Sequence, residues 1–215
     1  MEVAALNVSG IVLSGGLSSR MGRDKTLITF NNETLIERVV REISKVADEI
    51  IIASNNTCKY GIPGTREVTD TYQGMGPLGG IHAGLMEAKY SLAFVVAADM
   101  PMFSADLAKH LLGKAAGYDV VVPEMNGKWE PLCAVYARQC LKCIDKFLRQ
   151  GKRTVFSIYS ELKVLNICDE QLLFLKNGDN VFMNLNTPED YEEFIERNSL
   201  NEVRFLRQGG GNNIN

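Results

Sequence analysis

Apolar residues fall along this chain in short unbroken runs separated by amphipathic stretches, and the alternation predicts its elements. Gly10 to Leu13 is a brief apolar run that reads as a buried strand. Leu35 to Val46 then sets apolar residues at helical spacing with Glu and Arg between them. Glu49 to Ser54 reads as a second buried strand, and Glu67 to Thr69 as a short one. A glycine-rich loop, Gly74 to Gly80, precedes a predicted helix over Ile81 to Ala88. Ser91 to Ala98 is the most apolar strand candidate, and Ser104 is placed to cap a helix reaching about Ala116. Asp119 to Pro123 is another strand, and Lys128 to Tyr136 reads as loop into strand. Helix follows through Arg149, stops at Gly151 and restarts as a short turn near Thr154. Val164 to Ile167 and Val181 to Met183 are strand candidates. Thr187, Pro188 and Asp190 carry cap chemistry that opens a helix to about Arg197.

Strands alternating with helices imply an α/β architecture with a mostly parallel sheet covered on both faces. Right-handed crossovers gather the loops after such strands along one edge of the sheet. The residues after the first strand, Asp70 with the glycine loop that follows it, and Asp99 all fall at strand ends in this count, so they converge on one crevice.

Composition narrows the class. At 215 residues the chain is long enough to bury a substantial core, and 46% hydrophobic with 23% charged residues is ordinary for a globular protein. A single domain over 1–207 is expected, with 208–215 as a flexible tail, because Gln208 to Asn215 has no core to join. A net charge of −3 argues against nucleic acid or an anionic membrane as partner, so any basic loop must serve a smaller anion. The first residues lack the pattern of a signal peptide, and the five cysteines are an odd number, so reduced thiols in the cytoplasm are expected. Cys140 and Cys143 lack a second pair at zinc-ligand spacing and read as structural thiols.

The chemistry concentrates after the first strand. Ser14, Gly15 and Gly16 are followed by cations at Arg20, Arg23 and Lys25. Glycines let backbone N–H groups approach a ligand, and cations beside them neutralise phosphate oxygens, so the stretch reads as a polyphosphate cradle rather than a solvated turn. It is not a P-loop, because Gly22 is not followed directly by Lys. Asp99 ends an apolar strand, where a lone carboxylate is costly unless paired or coordinated, and a magnesium ligand or a turn Asp both satisfy that. His82 and His110 are the only histidines; His82 reads as structural, and no G-x-S-x-G elbow is present for a hydrolase. Gly74 to Gly79 spells G-x-G-x-x-G, with Asp99 about where a ribose-binding acid falls, so a dinucleotide-dependent oxidoreductase is one alternative. Against it, residues 70–73 separate the string from a strand.

The ordered string from Leu13 to Lys25 resembles the signature of the molybdenum cofactor guanylyltransferases, within the wider nucleotidyltransferase group. Sugar nucleotidyltransferases usually show Gly-Thr-Arg after the glycines, and the cytidylyl relatives Ala-Ala-Gly where this chain has Ser14 to Gly16. The resemblance runs from about Ser9 to Phe194 and implies a three-layer Rossmann-like nucleotidyltransferase fold. It implies transfer of GMP from GTP to the terminal phosphate of molybdopterin, with Mg²⁺ as cofactor and passing contact with other molybdenum cofactor enzymes. Leu13, Ser14, Gly15 and Gly16 would meet the nucleotide by backbone, Arg20 and Lys25 the phosphates, and Asp70 the nucleoside. Gly76, Pro77 and Leu78 would lie near the guanine, and Asp99 would hold the metal. Arg153, Asn184 and Asn186 match the acceptor side, although a solvated helix end and bonding within a turn explain them equally well. The chain departs from the family at Gly79, usually Ala, which is not expected to alter the backbone role. It departs again at Ala53, often Asn, whose amide contact is either lost or passed to Asn55. A cytidylyl or sugar-type relative, the oxidoreductase and a non-catalytic nucleotide-binding regulator remain as alternatives.

Overall fold

A computed structural model describes residues 7–15, 25–30, 32–55, 59–172, 181–185, 187 and 189–196. The first strand, β1 (Val8–Ser14), is buried along its whole length. Its alternating side chains feed two separate cores, Val8 and Val12 on one face and Ile11 and Leu13 on the other. After a 3-10 turn at Lys25–Leu27, the two-residue strands β2 (Thr29–Phe30) and β3 (Glu33–Thr34) form a small hairpin. Thr34 then caps α1 (Leu35–Ile43): its hydroxyl accepts from the Glu37 N–H at 3.3 Å while the Glu37 carboxylate accepts from the Thr34 N–H at 2.8 Å. β4 (Glu49–Ser54) and β5 (Thr65–Thr69) lead to α2 (Gly76–Glu87), and β6 (Leu92–Ala97) to α3 (Ala105–Leu112), capped by Ser104 as expected. β7 (Val120–Met125), β8 (Lys128–Trp129), β9 (Cys133–Ala137), α4 (Leu141–Arg149) and β10 (Val164–Ile167) follow.

The sheet order is β10-β7-β9-β6-β1-β4-β5, with β8 paired to β7. β1, β4, β5 and β6 pair in parallel, as do β7 and β10; β9 runs antiparallel between β6 and β7. The apolar faces of α1 and α3 cover one side and those of α2 and α4 the other, giving three layers. No helix among the described residues is long and apolar enough to cross a membrane.

Four expected elements differ. The helix predicted from Ile81 begins at Gly76, so Gly79 and Gly80 are helical rather than loop. Packing explains this: a Cβ on Gly84 would stand 2.5 Å from Ile11 Cγ2, and one on Gly80 3.2 Å from Leu13 Cδ2. Small residues let the helix lie close on β1, and that contact overrides their poor helix propensity. Val181 and Phe182 form 3-10 turn rather than strand, both buried in the α1/α3 core. The helices begun at Leu35 and Ala105 end at Ile43 and Leu112, short of the expected Val46 and Ala116. Residues 189–196 are helical, and Thr187 and Asp190 exchange reciprocal bonds of 2.8 and 3.1 Å at its start. The tail at 208–215 lies outside the described residues.

Candidate active site

Parallel register brings the candidate residues to one edge. Ser14 pairs with Ser54, and Ser54 with Thr69, so β1, β4 and β5 end in one row. Gly15, Asn55 and Asp70 are the next residue of each. On the other side of β1, Leu13 pairs with Ala97, and the Ala98 N–H donates to the Leu13 carbonyl at 2.9 Å, which sets Asp99 beside the same edge.

The start of α2 closes the row into a cavity of about 140 Å³ lined by Leu13, Gly15, Asn55, Asp70, Gly76 and Pro77, with Ala53, Ser54, Gly74 and Gly80 completing its described wall. Gly74 and Gly76 have φ of 74° and 65°, a backbone that L side chains rarely adopt, and this sharp turn aims the helix N-terminus at the cavity. Unsatisfied N–H groups and the helix dipole make that end favourable to an anion. Ala53 contributes no amide, whereas Asn55 does line the wall, with Nδ2 3.6 Å from where a Gly15 Cβ would stand.

Asp70 is the one carboxylate among the described lining residues, only 6% exposed. Its Oδ1 accepts from the Tyr72 N–H at 2.8 Å. Burial pushes its pKa above the ordinary value, against the pull of that N–H and of nearby His82. Gly79 proves more than a neutral departure, because its Cβ would stand 2.3 Å from Asp70 Oδ2. The carboxylate occupies the space that a side chain at 79 would fill.

Sequence reasoning missed the support behind Asp70. The Tyr72 hydroxyl donates to Asp145 Oδ1 at 2.6 Å, and Arg149 Nε donates to Asp145 Oδ2 at 2.8 Å. Tyr72 also meets the His82 ring edge-on, centroids 5.1 Å apart. Burial lowers the His82 pKa, opposed by Asp145 and Asp70, and Nε2 lies 3.9 Å from Asp145 Oδ1. Tyr72 and Asp145 are 73 residues apart, and no motif or spacing marks such a pair. His82 is packed under the site, outside the cavity lining, in keeping with its structural reading.

Asp99 is half-buried, and its turn is held from several sides. The Leu185 N–H donates to the Asp99 carbonyl at 3.0 Å, Met100 N–H to the Ala97 carbonyl at 3.3 Å, and Arg38 Nε to the Pro101 carbonyl at 2.7 Å. The first of these ties the Asn184 segment to Asp99. Asn184 Nδ2 itself donates to the Phe182 carbonyl at 3.4 Å, so bonding within the turn is realised for that side chain. Arg153 is exposed, and its carbonyl lies 3.6 Å from where a Gly76 Cβ would stand, at the entry to α2. Leu78 is buried in the α2/α4 core and meets the cavity only through its neighbours. Lys25 opens the 3-10 turn after the glycine stretch, while Gly16, Arg20 and Asn186 lie outside the described residues.

A magnesium ion suits this donor set. No group of three His, Cys, Asp or Glu able to hold a metal occurs among the described residues. Hard Mg²⁺ needs only one or two carboxylates when phosphates and water supply the rest, so a sparse site with Asp99 fits it where a zinc site would not. Cys133, Cys140, Cys143 and Cys168 are free thiols, and burial pushes Cys140 up to about 12, which leaves it inert as a ligand.

Residues 10–164 match the sequence profile of the MobA-like NTP transferase domain. The chain belongs to that family. Among MobA-like relatives, a probable molybdenum cofactor guanylyltransferase of Pelotomaculum thermopropionicum is 38% identical over 188 residues, 86% of this chain and 90% of the relative. A molybdenum cofactor guanylyltransferase of Desulfosudis oleivorans is 37% identical over 188 residues, 86% of this chain and 93% of its own. The crystal structure of molybdopterin-guanine dinucleotide biosynthesis protein A from Archaeoglobus fulgidus superimposes with a TM-score of 0.77 at 28% identity, covering 89% of this chain and 98% of that one. Membership of the MobA-like family makes this chain a nucleotidyltransferase and sets aside the oxidoreductase reading. The geometry agrees: residues 70–75 separate β5 from α2, and Gly79 serves contact with Asp70 rather than a pyrophosphate turn.

Proposed function

We propose that this protein transfers GMP from GTP to the terminal phosphate of molybdopterin, forming the guanine dinucleotide cofactor and releasing pyrophosphate. The observation that carries the reading is the convergence, on one cavity, of the end of β1, the α2 N-terminus and the buried Asp70, with Asp99 at the same sheet edge. The guanylyltransferase names of relatives sharing over a third of their residues support the choice of nucleotide and acceptor.

In this reading Leu13 to Gly16 cradle the nucleotide by backbone, Arg20 and Lys25 neutralise the triphosphate, and Asp70 accepts from the nucleoside. Gly76 and Pro77 shape the base pocket, with Leu78 seating them from the core beneath. Arg153, Asn184 and Asn186 would serve the acceptor side. Asp99 would hold Mg²⁺, which when bound offsets charge on the α-phosphate and the departing pyrophosphate. No general base is required, because a phosphate monoester is already anionic near neutral pH. The protein's task is to position and neutralise two anions for in-line attack.

Pyrophosphate release measured across GTP, CTP, ATP and UTP, with and without molybdopterin, tests this. GTP should support release only when molybdopterin is supplied. Preference for CTP would favour the cytidylyl relative, and GTP binding without release would point to a non-catalytic regulator.

A further inference from the structure

We infer that Tyr60 is a positioning residue of the phosphate cradle, its phenol joining the two ends of the stretch that carries the glycines and cations. The inference rests on reading that stretch as the triphosphate cradle. Tyr60 follows β4 in a segment anchored to the sheet. The N–H groups of Lys59, Tyr60 and Gly61 all donate to the Glu67 carboxylate, at 2.7, 3.0 and 2.8 Å. Glu67 sits on β5, so the Tyr60 backbone is fastened to a strand of the same sheet that ends at Asp70. Burial opposes the charge on Glu67, yet the three N–H groups outweigh it and lower its pKa, so the anchor holds as an anion at neutral pH. The Tyr60 ring packs on the α1/α3 core, and Lys59 Nζ lies 5.0 Å from its centroid.

From this anchored position the phenol oxygen hydrogen-bonds Ser14 Oγ and also lies 3.1 Å from Thr26 Oγ1. A phenol both donates and accepts, so one oxygen serves both hydroxyls. Ser14 is the last residue of β1, and Thr26 directly follows Lys25; both are buried. Every glycine and cation assigned to the triphosphate lies between these two residues in the chain. Meeting on one oxygen fixes the separation of the two ends before any ligand arrives. Closing such a stretch costs conformational entropy, and a chain already closed does not lose that entropy on binding. Tyr60 therefore acts on triphosphate affinity through Ser14 and Thr26 and need not touch the ligand.

The test is calorimetry of the full chain with three probes: GTP, GMP and inorganic tripolyphosphate. Tyr60→Phe keeps the ring and removes the oxygen. Loss of two net hydrogen bonds should weaken GTP and tripolyphosphate binding roughly tenfold, and GMP binding less than about threefold. Thr26→Val is the second variant should Tyr60→Phe fold poorly, and the same ranking is expected. A double variant, Tyr60→Phe with Ser14→Ala, should lose less than the two single losses combined, because both changes break the same hydrogen bond. The split between triphosphate probes and GMP is what a merely structural tyrosine would not produce. Equal loss for all three probes, or none, overturns the inference. If the parent binds tripolyphosphate but neither GTP nor GMP, the guanylyl reading fails while the Tyr60 result still decides its own question. A parent that binds none of the probes overturns both.

Discussion

Asp70 and Asp99 both end strands of one sheet, but their settings give them different work. Asp99 follows β6 in a turn whose backbone is held by bonds to Leu185, Ala97 and Arg38, and a side-chain substitution leaves those bonds in place. Asp99→Asn should therefore leave the protein folded while abolishing Mg²⁺-dependent transfer, because the amide lacks the anionic oxygen a hard dication needs. Removal of one preorganised electrostatic group costs about 10²–10³ in rate, and loss of the ion at least that. Turnover against Mg²⁺ concentration decides it: identical dependence in mutant and parent would remove Asp99 from the metal. Asp70 is buried, and its folded pKa lies above the ordinary 3.8. The folded state thus keeps the proton to higher pH than the unfolded chain does. Its favourable contribution is complete below the ordinary value and is lost as pH rises through the raised one. Asp70→Asn cannot ionise, so the ligand-free mutant should gain stability relative to the parent as pH is raised from 4 to 7. Denaturant unfolding across that range measures the difference, and a gap that does not change with pH would contradict the assignment.

At the scale of elements, α2 shows why part of the molecule could be read from the chain and part could not. β4 and β10 lie where their apolar runs place them, since a short buried strand announces itself by composition. The first turn of α2 was hidden, because Gly79 and Gly80 read as loop by propensity and are made helical by contact with Asp70 and β1. Val181 and Phe182 were misread for a related reason: two buried apolar residues look alike in a strand and in a 3-10 turn. Tyr60 and Tyr72 carried no signal at all, since each earns its role through partners distant in sequence. Gly84→Ala tests the packing argument. Alanine improves helix propensity by about 1 kcal/mol. Its methyl, however, would enter at 2.5 Å from Ile11 Cγ2, within a fully buried strand. Overpacking a rigid core costs about 1–3 kcal/mol, so the net change should be destabilising. A rise in unfolding free energy would mean that α2 can move off β1 more cheaply than the contact implies.

For the molecule as a whole, the carboxyl edge of the sheet was legible from the order of strands and helices, because right-handed crossovers leave little choice about where the loops after β1, β5 and β6 gather. The antiparallel placement of β9 between β6 and β7 was not, since nothing local in Cys133 to Ala137 distinguishes strand direction. What the edge assembles is a cavity whose wall comes from β1, β4, the residue after β5 and the start of α2. None of these meets the others in an unfolded chain, so a ligand held there binds the folded state alone. With GTP and Mg²⁺ at about 100 times the dissociation constant, linkage predicts about 2.7 kcal/mol of added stability. For a chain of this length each kcal/mol moves the thermal midpoint by about 2–4 °C, so a rise of about 5–10 °C is expected. CTP at the same concentration should give a smaller shift, because the two nucleotides share the triphosphate and differ only in what Asp70 and the α2 turn meet. Thermal unfolding followed with each nucleotide measures both terms together. Equal shifts would mean that the cavity holds phosphate without reading the base, and selectivity for guanine would have to arise outside it.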